Sequence, residues 1–153
     1  MHQINKKDQK IVLVVEDDIP LLEAAKLKLE KNNFYVISAR SVERAVASYI
    51  LESDIGKVTA NSVEKVLQHL RDLERVDAIW LDHNLIGKEN GLDFIEKFHA
   101  NGGRFLDVPI FVVSNTSSID LRKSYEKLGV KNYFVKAEHR LEDIVNAIKT
   151  VLG

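Results

Sequence analysis

Short apolar runs recur along the chain, and stretches with helical spacing separate them. Ile11-Val12-Leu13-Val14-Val15 is an unbroken run of β-branched and leucine residues, the pattern of a strand buried on both faces. Ala78-Ile79-Trp80-Leu81 and Ile110-Phe111-Val112-Val113 read the same way, and Phe34-Tyr35-Val36-Ile37 and Tyr133-Phe134-Val135 complete five candidate strands. Between them lie helix faces: Leu22, Ala25 and Leu29; Leu92, Ile95 and Phe98; Leu121, Tyr125 and Leu128. The clearest face is the last, with Leu141, Ile144, Val145, Ile148, Val151 and Leu152 at helical spacing. Strands alternating with helices predict parallel βαβ units, and right-handed crossovers then place helices on both faces of one sheet. The expected fold class is α/β, a doubly wound five-stranded parallel sheet. Ligands of such a sheet sit at the carboxyl ends of the strands, near a switch in strand order.

One region breaks this rhythm. About 40 residues separate Ile37 from Ala78, enough for two helices. Ser41-Val42-Glu43-Arg44-Ala45-Val46 reads as a helix start with Ser41 as N-cap. Ser62-Val63-Glu64-Lys65-Val66-Leu67 repeats the pattern 21 positions later, and Asp54-Ile55-Gly56 breaks the chain between them. Two helices are expected here, the second ending near Glu74. The near-repeat fits two similar helix starts better than a duplication. The expected organisation is a single domain over 1–153, with residues 1–9 as an N-terminal extension and about 41–61 as an extra helical segment between strands 2 and 3.

Composition narrows the class. At 153 residues, 45% hydrophobic and 29% charged, the chain has the size and balance of one globular domain. It has no cysteine, which excludes disulfides and cysteine–zinc sites. No apolar run approaches the roughly 20 residues of a membrane helix, and Met1-His2-Gln3-Ile4-Asn5-Lys6-Lys7 lacks a signal-peptide core. A cytoplasmic protein without a membrane partner is expected. The net charge of −1 and the scattered basic residues argue against direct nucleic-acid binding.

Polar residues cluster where strands end. Glu16-Asp17-Asp18 follows the first strand, Asp82 the third, Ser114-Asn115-Thr116 the fourth and Lys136 the fifth. A parallel sheet brings all of these to one rim. Glu16, Asp17 and Asp82 would then gather about three negative charges, and two unit charges about 4 Å apart repel by about 4 kcal/mol at an effective dielectric near 20. Such a cluster must hold a cation or shift its pKa values. Mg2+, with Mn2+ as the alternative, suits carboxylates that share a phosphate and water. Lys136 and the metal would neutralise a phosphoryl group, Ser114 would donate a hydrogen bond to it, and the central carboxylate would be the nucleophile, forming an acyl phosphate.

Four motifs in order carry a resemblance: Val14-Val15-Glu16-Asp17-Asp18, Ile79-Trp80-Leu81-Asp82, Pro109-Ile110-Phe111-Val112-Val113-Ser114, and Gly129-Val130-Lys131-Asn132-Tyr133-Phe134-Val135-Lys136. Together they resemble the receiver domain of two-component response regulators, of the stand-alone type, over nearly the whole chain. The resemblance implies a flavodoxin-like fold and a sensor histidine kinase or histidine phosphotransfer protein as phosphodonor. It makes Asp82 the phosphoacceptor and Glu16 and Asp17 the acidic metal pair, with the Asn84 backbone carbonyl a further metal ligand. Ser114 becomes the switch hydroxyl, Tyr133 the switch aromatic and Lys136 the phosphate-binding lysine. Such a protein is not a turnover enzyme. It would signal to a separate downstream protein by reshaping the surface formed by the helix after strand 4, strand 5 and the last helix.

Several positions depart from that pattern. Ala137 follows Lys136 where the family usually has proline, so no cis bond is expected there. Ile86 replaces a usual proline, Gly91 stands one residue later than the family's glycine, and Asn115 replaces a small residue. A phosphate-independent binding module that keeps the fold is the alternative these changes support. An aspartyl-phosphate phosphatase is disfavoured, because Asn84 stands where those enzymes carry a second aspartate. His83 reads as a rim residue without chemistry, His69 as a solvated helix residue and Tyr125 as core.

Overall fold

The expected strands form, and each is apolar on both sides because helices cover both faces of the sheet. The structure is a computed structural model that describes residues 9–39, 76–85, 89–100 and 103–153. Its elements are β1 (Lys10–Val15), α1 (Ile19–Lys31), β2 (Phe34–Ala39), β3 (Ala78–Leu81), α2 (Gly91–Ala100), a 3-10 turn (Gly103–Asp107), β4 (Ile110–Ser114), α3 (Ile119–Lys127), β5 (Asn132–Val135) and α4 (Leu141–Leu152). The strands pair in parallel in the order β2-β1-β3-β4-β5. Val12 lies opposite Val36 on one side and Ala78 on the other, Trp80 opposite Phe111, and Val112 opposite Tyr133. The expected extra segment at 41–61, the second helix up to Glu74 and most of the N-terminal extension lie outside the described residues. Of that extension Gln9 is described, and it is buried.

Alternation along each strand sorts side chains into two layers. Ile11, Leu13, Val15, Ile79, Leu81, Ile110 and Val112 face Phe94, Ile95 and Phe98 of α2 and Tyr125 of α3. Val12, Val14, Trp80, Phe111 and Val113 face Leu22, Ala25 and Leu29 of α1 and Ile144, Val145 and Ile148 of α4. The helix starts are capped by local side chains, which satisfies N–H groups that no helical carbonyl can reach. Asp18 accepts from the Leu21 N–H at 3.3 Å and Ser118 from the Leu121 N–H at 3.2 Å. Asn90 and Asp93 exchange backbone-to-side-chain bonds at 2.8 and 3.1 Å at the start of α2. Pro20 sits in the first turn of α1, where its missing N–H costs nothing. After α3 the chain turns at Gly129, whose φ of +82° is one that glycine adopts freely.

Two readings need correction. Val151 lies on the expected apolar face of α4 but is 37% exposed: with about 3.6 residues per turn it falls at the edge of the stripe, while Leu152, one residue on, packs against the sheet layer. Ser114 was expected after β4; it is the last residue of the strand and is wholly buried. The peptide after Lys136 is trans, like every peptide among the described residues. No described helix is long and apolar enough to cross a membrane. The strand order reverses between β1 and β3, so the loops that follow these two strands diverge and leave a crevice at their carboxyl ends. The packing predicts that Ile148→Ala costs about 2–4 kcal/mol in denaturant unfolding, whereas Val151→Ala costs within about 0.5 kcal/mol.

Candidate functional site: a buried carboxylate cluster at the strand ends

The β1–β3 ladder delivers the acidic residues to this crevice. The Asp82 N–H donates to the Val15 carbonyl at 2.8 Å, which holds the residue after β3 beside the residue after β1. Glu16 is wholly buried and Asp82 is 2% exposed. Glu16 Oε2 accepts from the N–H groups of Asp17 and Asp18 at 3.1 and 3.2 Å, so its carboxylate is fixed by its own loop. Asp82 Oδ1 accepts from the Asn84 N–H at 3.3 Å. Glu16, Asp17 and Asp82 each offer an oxygen within 4.8 Å of the others. The sequence-predicted carboxylates therefore converge.

Lys136 is brought over by β5. Its N–H donates to the Ser114 carbonyl at 2.8 Å, and its ammonium lies 3.0 Å from Glu16 Oε1 and 3.4 Å from Asp82 Oδ2. The 3.0 Å contact is an ion pair that partners Glu16 Oε1. One ammonium against three carboxylates leaves a deficit of positive charge. Burial, together with the adjoining Glu16 carboxylate and against the opposing Lys136 ammonium, pushes the Asp82 carboxyl up to about 8. Burial would lower the Lys136 ammonium, but the adjoining Glu16 and Asp82 carboxylates outweigh it and hold Lys136 above its ordinary range. Without a further cation, the Asp82 carboxyl thus holds its proton well above the ordinary carboxylate range. The donor set suits a hard divalent cation: oxygen ligands only, negative and close together.

The other expected site residues sit around this centre. Ser114 Oγ accepts from the Thr116 N–H at 3.2 Å, which leaves the hydroxyl proton free to be donated elsewhere. Tyr133 is half-buried on β5, and its hydroxyl donates to the Thr116 carbonyl at 2.8 Å. The Arg122 guanidinium lies 5.2 Å from the Tyr133 ring centre. Asn84 is exposed at the rim, as is Asn115 beside Ser114. Ile86 and His69 lie outside the described residues. Two further residues shape the site. His83 Nδ1 lies 2.6 Å from the Tyr125 hydroxyl, and Gly91 donates its N–H to the His83 carbonyl at 3.1 Å. The signal for this contact was a tyrosine on an apolar helix face, since a buried phenol needs a polar partner.

The fold matches solved structures. The chain superposes on a CheY-like response regulator receiver domain protein from Methanospirillum hungatei with a TM-score of 0.71, at 20% identity over 95% of this chain and 94% of that one. It matches the non-phosphorylated HemR receiver domain from Leptospira biflexa with a TM-score of 0.68, at 21% identity over 95% of both chains. A response regulator from Burkholderia pseudomallei, solved with a phosphorylated aspartic acid, a calcium ion and citrate, matches with a TM-score of 0.66 at 22% identity, over 93% of this chain and 68% of that one. No protein-family model and no curated protein matches the sequence. The fold is that of response regulator receiver domains.

The raised Asp82 carboxyl has a consequence for stability. In metal-free protein the folded state binds a proton that the unfolded chain releases near pH 4, so this group's contribution is full below about pH 4 and is lost as pH rises through about 8. Asp82→Asn removes that dependence. In EDTA the variant is expected to gain on wild type between pH 5 and pH 8 by roughly 2–4 kcal/mol, read by denaturant titration. A constant difference would mean that Asp82 is ionised throughout.

Proposed function

We propose that this chain is a phosphorylation-dependent signalling switch whose phosphoacceptor is Asp82. The observation that carries the reading is a buried aspartate at the strand-order switch of a receiver fold, with Lys136 on one side and a carboxylate pair on the other. The phosphodonor is a sensor histidine kinase or a histidine phosphotransfer protein. The Asp82 carboxylate attacks phosphorus as the bond to the donor's imidazole nitrogen breaks; the electron pair of that bond goes to the ring, whose other nitrogen already carries a proton, leaving an acyl phosphate on Asp82 and neutral histidine on the donor. Glu16, Asp17, Asp82 and the Asn84 backbone carbonyl would hold Mg2+, which would supply positive charge for the transferring group. The calcium ion and phosphorylated aspartate of the Burkholderia neighbour support that pairing of metal and phosphate.

The chain's own residues do the rest. The Lys136 ammonium moves from ion-pairing two carboxylates to neutralising a phosphoryl oxygen. The Ser114 hydroxyl donates to another oxygen, and Tyr133 follows Ser114 inward, giving up its bond to Thr116. The face of α3, β5 and α4 changes shape, and a downstream protein that prefers the new shape shifts the population toward it. Water later cleaves the acyl phosphate. The protein is thus a cytoplasmic switch and not a turnover enzyme.

Incubation with Mg2+ and acetyl phosphate, read by intact mass, tests this. Wild type is expected to gain one phosphoryl group and Asp82→Asn none. Folded, Mg2+-saturated wild type that gains none, from acetyl phosphate or from a phosphorylated histidine phosphotransfer protein, would mean a phosphate-independent binding module.

A further inference from the structure

The proposed chemistry uses one side of Asp82. On the other side, His83 reaches into the layer between the sheet and α3. Its ring meets Tyr125 edge to face, with centres 5.6 Å apart and planes at 86°, and Nδ1 lies 2.6 Å from the phenol oxygen. Tyr125 is wholly buried. Burial, with the negative groups around it, holds its hydroxyl in the protonated form. A buried phenol without a partner is costly, so this bond resists breaking. Gly91 makes the approach possible: a Cβ there would overlap the Tyr125 oxygen and come within 3.0 Å of the Asp82 carbonyl. The residue after Asp82 is therefore pinned twice, by its carbonyl to the first residue of α2 and by its ring to α3.

The connection continues. The Tyr125 ring lies 5.8 Å from the Tyr133 ring, the Tyr133 hydroxyl bonds Thr116, and Thr116 bonds Ser114. Asp82 and Ser114 are joined through α3 as well as across the sheet. A helix tied to both can respond to a change at either.

We propose that Tyr125 is a positioning residue: through His83 it fixes the loop that carries Asp82 and Asn84, and through the same bond α3 responds to what Asp82 carries. The second half rests on Asp82 being the phosphoacceptor; the first half does not. Movement of α3 relative to the Asp82 loop must then stretch or break the Tyr125–His83 bond.

Hydrogen exchange on wild type, Tyr125→Phe, His83→Leu and the double variant tests both halves. In metal-free Tyr125→Phe the amides of residues 83–85 are expected to exchange about tenfold faster, while β1 and β3 keep their protection. His83→Leu is expected to do the same, and the double variant to add nothing, since both changes remove one bond. With Mg2+ and acetyl phosphate, Tyr125→Phe is expected to take up the phosphoryl group but to lose at least about half of the exchange response that wild type shows over residues 119–127. Unchanged exchange at 83–85, additive effects in the double variant, or a full α3 response in Tyr125→Phe would each overturn the proposal. Loosening at 83–85 in a protein whose wild type takes up no phosphoryl group would leave the positioning role standing and remove the phosphoacceptor reading.

Discussion

Three carboxylates share a rim with one ammonium, and two of those carboxylates are almost sealed from water. Everything near the strand ends can be understood as holding that arrangement in place. Charges of one sign at such separations repel by several kcal/mol where water is scarce, so the groups must be fixed by stronger structure. Glu16 is fixed by two N–H groups of its own loop, Asp82 by the extension of the β1–β3 ladder, and Lys136 by a backbone bond to the end of β4. The long apolar stretches of β1, β3 and β4, covered by helices on both faces, supply the rigidity. The resulting centre is short of positive charge, and the Asp82 carboxyl is raised well above the ordinary carboxylate range.

That deficit links stability to function. A site that is comfortable when empty has no reason to take a cation or a phosphoryl group. Here three carboxylates face one ammonium, and on the proposed reading a cation and then a charged phosphoryl group would change which partner Lys136 prefers. The Ser114–Thr116–Tyr133 bonds lie on one side of this centre and the His83–Tyr125 bond on the other. Both arms meet at α3, so the helix is placed to register a change in charge without touching the carboxylates.

Much of this was legible in the sequence because two periodicities are strong. Continuous apolar runs marked the strands, and helical spacing marked Leu22, Ala25 and Leu29 and Ile144, Val145 and Ile148, all of them buried. Site residues were legible because a parallel sheet puts every strand end on one rim, which brought Glu16, Asp17, Asp82 and Lys136 together. Periodicity treats a tyrosine as a hydrophobe, however. It placed Tyr125 in the core correctly but not its hydroxyl, whose partner depends on how α3 crosses the sheet. For the same reason His83 read as a rim residue and Gly91 as a loop variant, although Gly91 makes room for the phenol. Val151 misled because it stands at the edge of the apolar stripe, where helical spacing alone does not separate a buried position from an exposed one.

The claim on which the rest depends is that this centre needs a cation. The most direct measurement is the unfolding free energy of wild type and Asp17→Asn as Mg2+ is raised from EDTA at neutral pH. Above the dissociation constant, wild type is expected to gain about 1.4 kcal/mol for each tenfold rise in Mg2+, and Asp17→Asn to gain little over the same range. Wild-type stability that does not change with Mg2+ would contradict it, because the three carboxylates would then be satisfied by Lys136 and a proton alone.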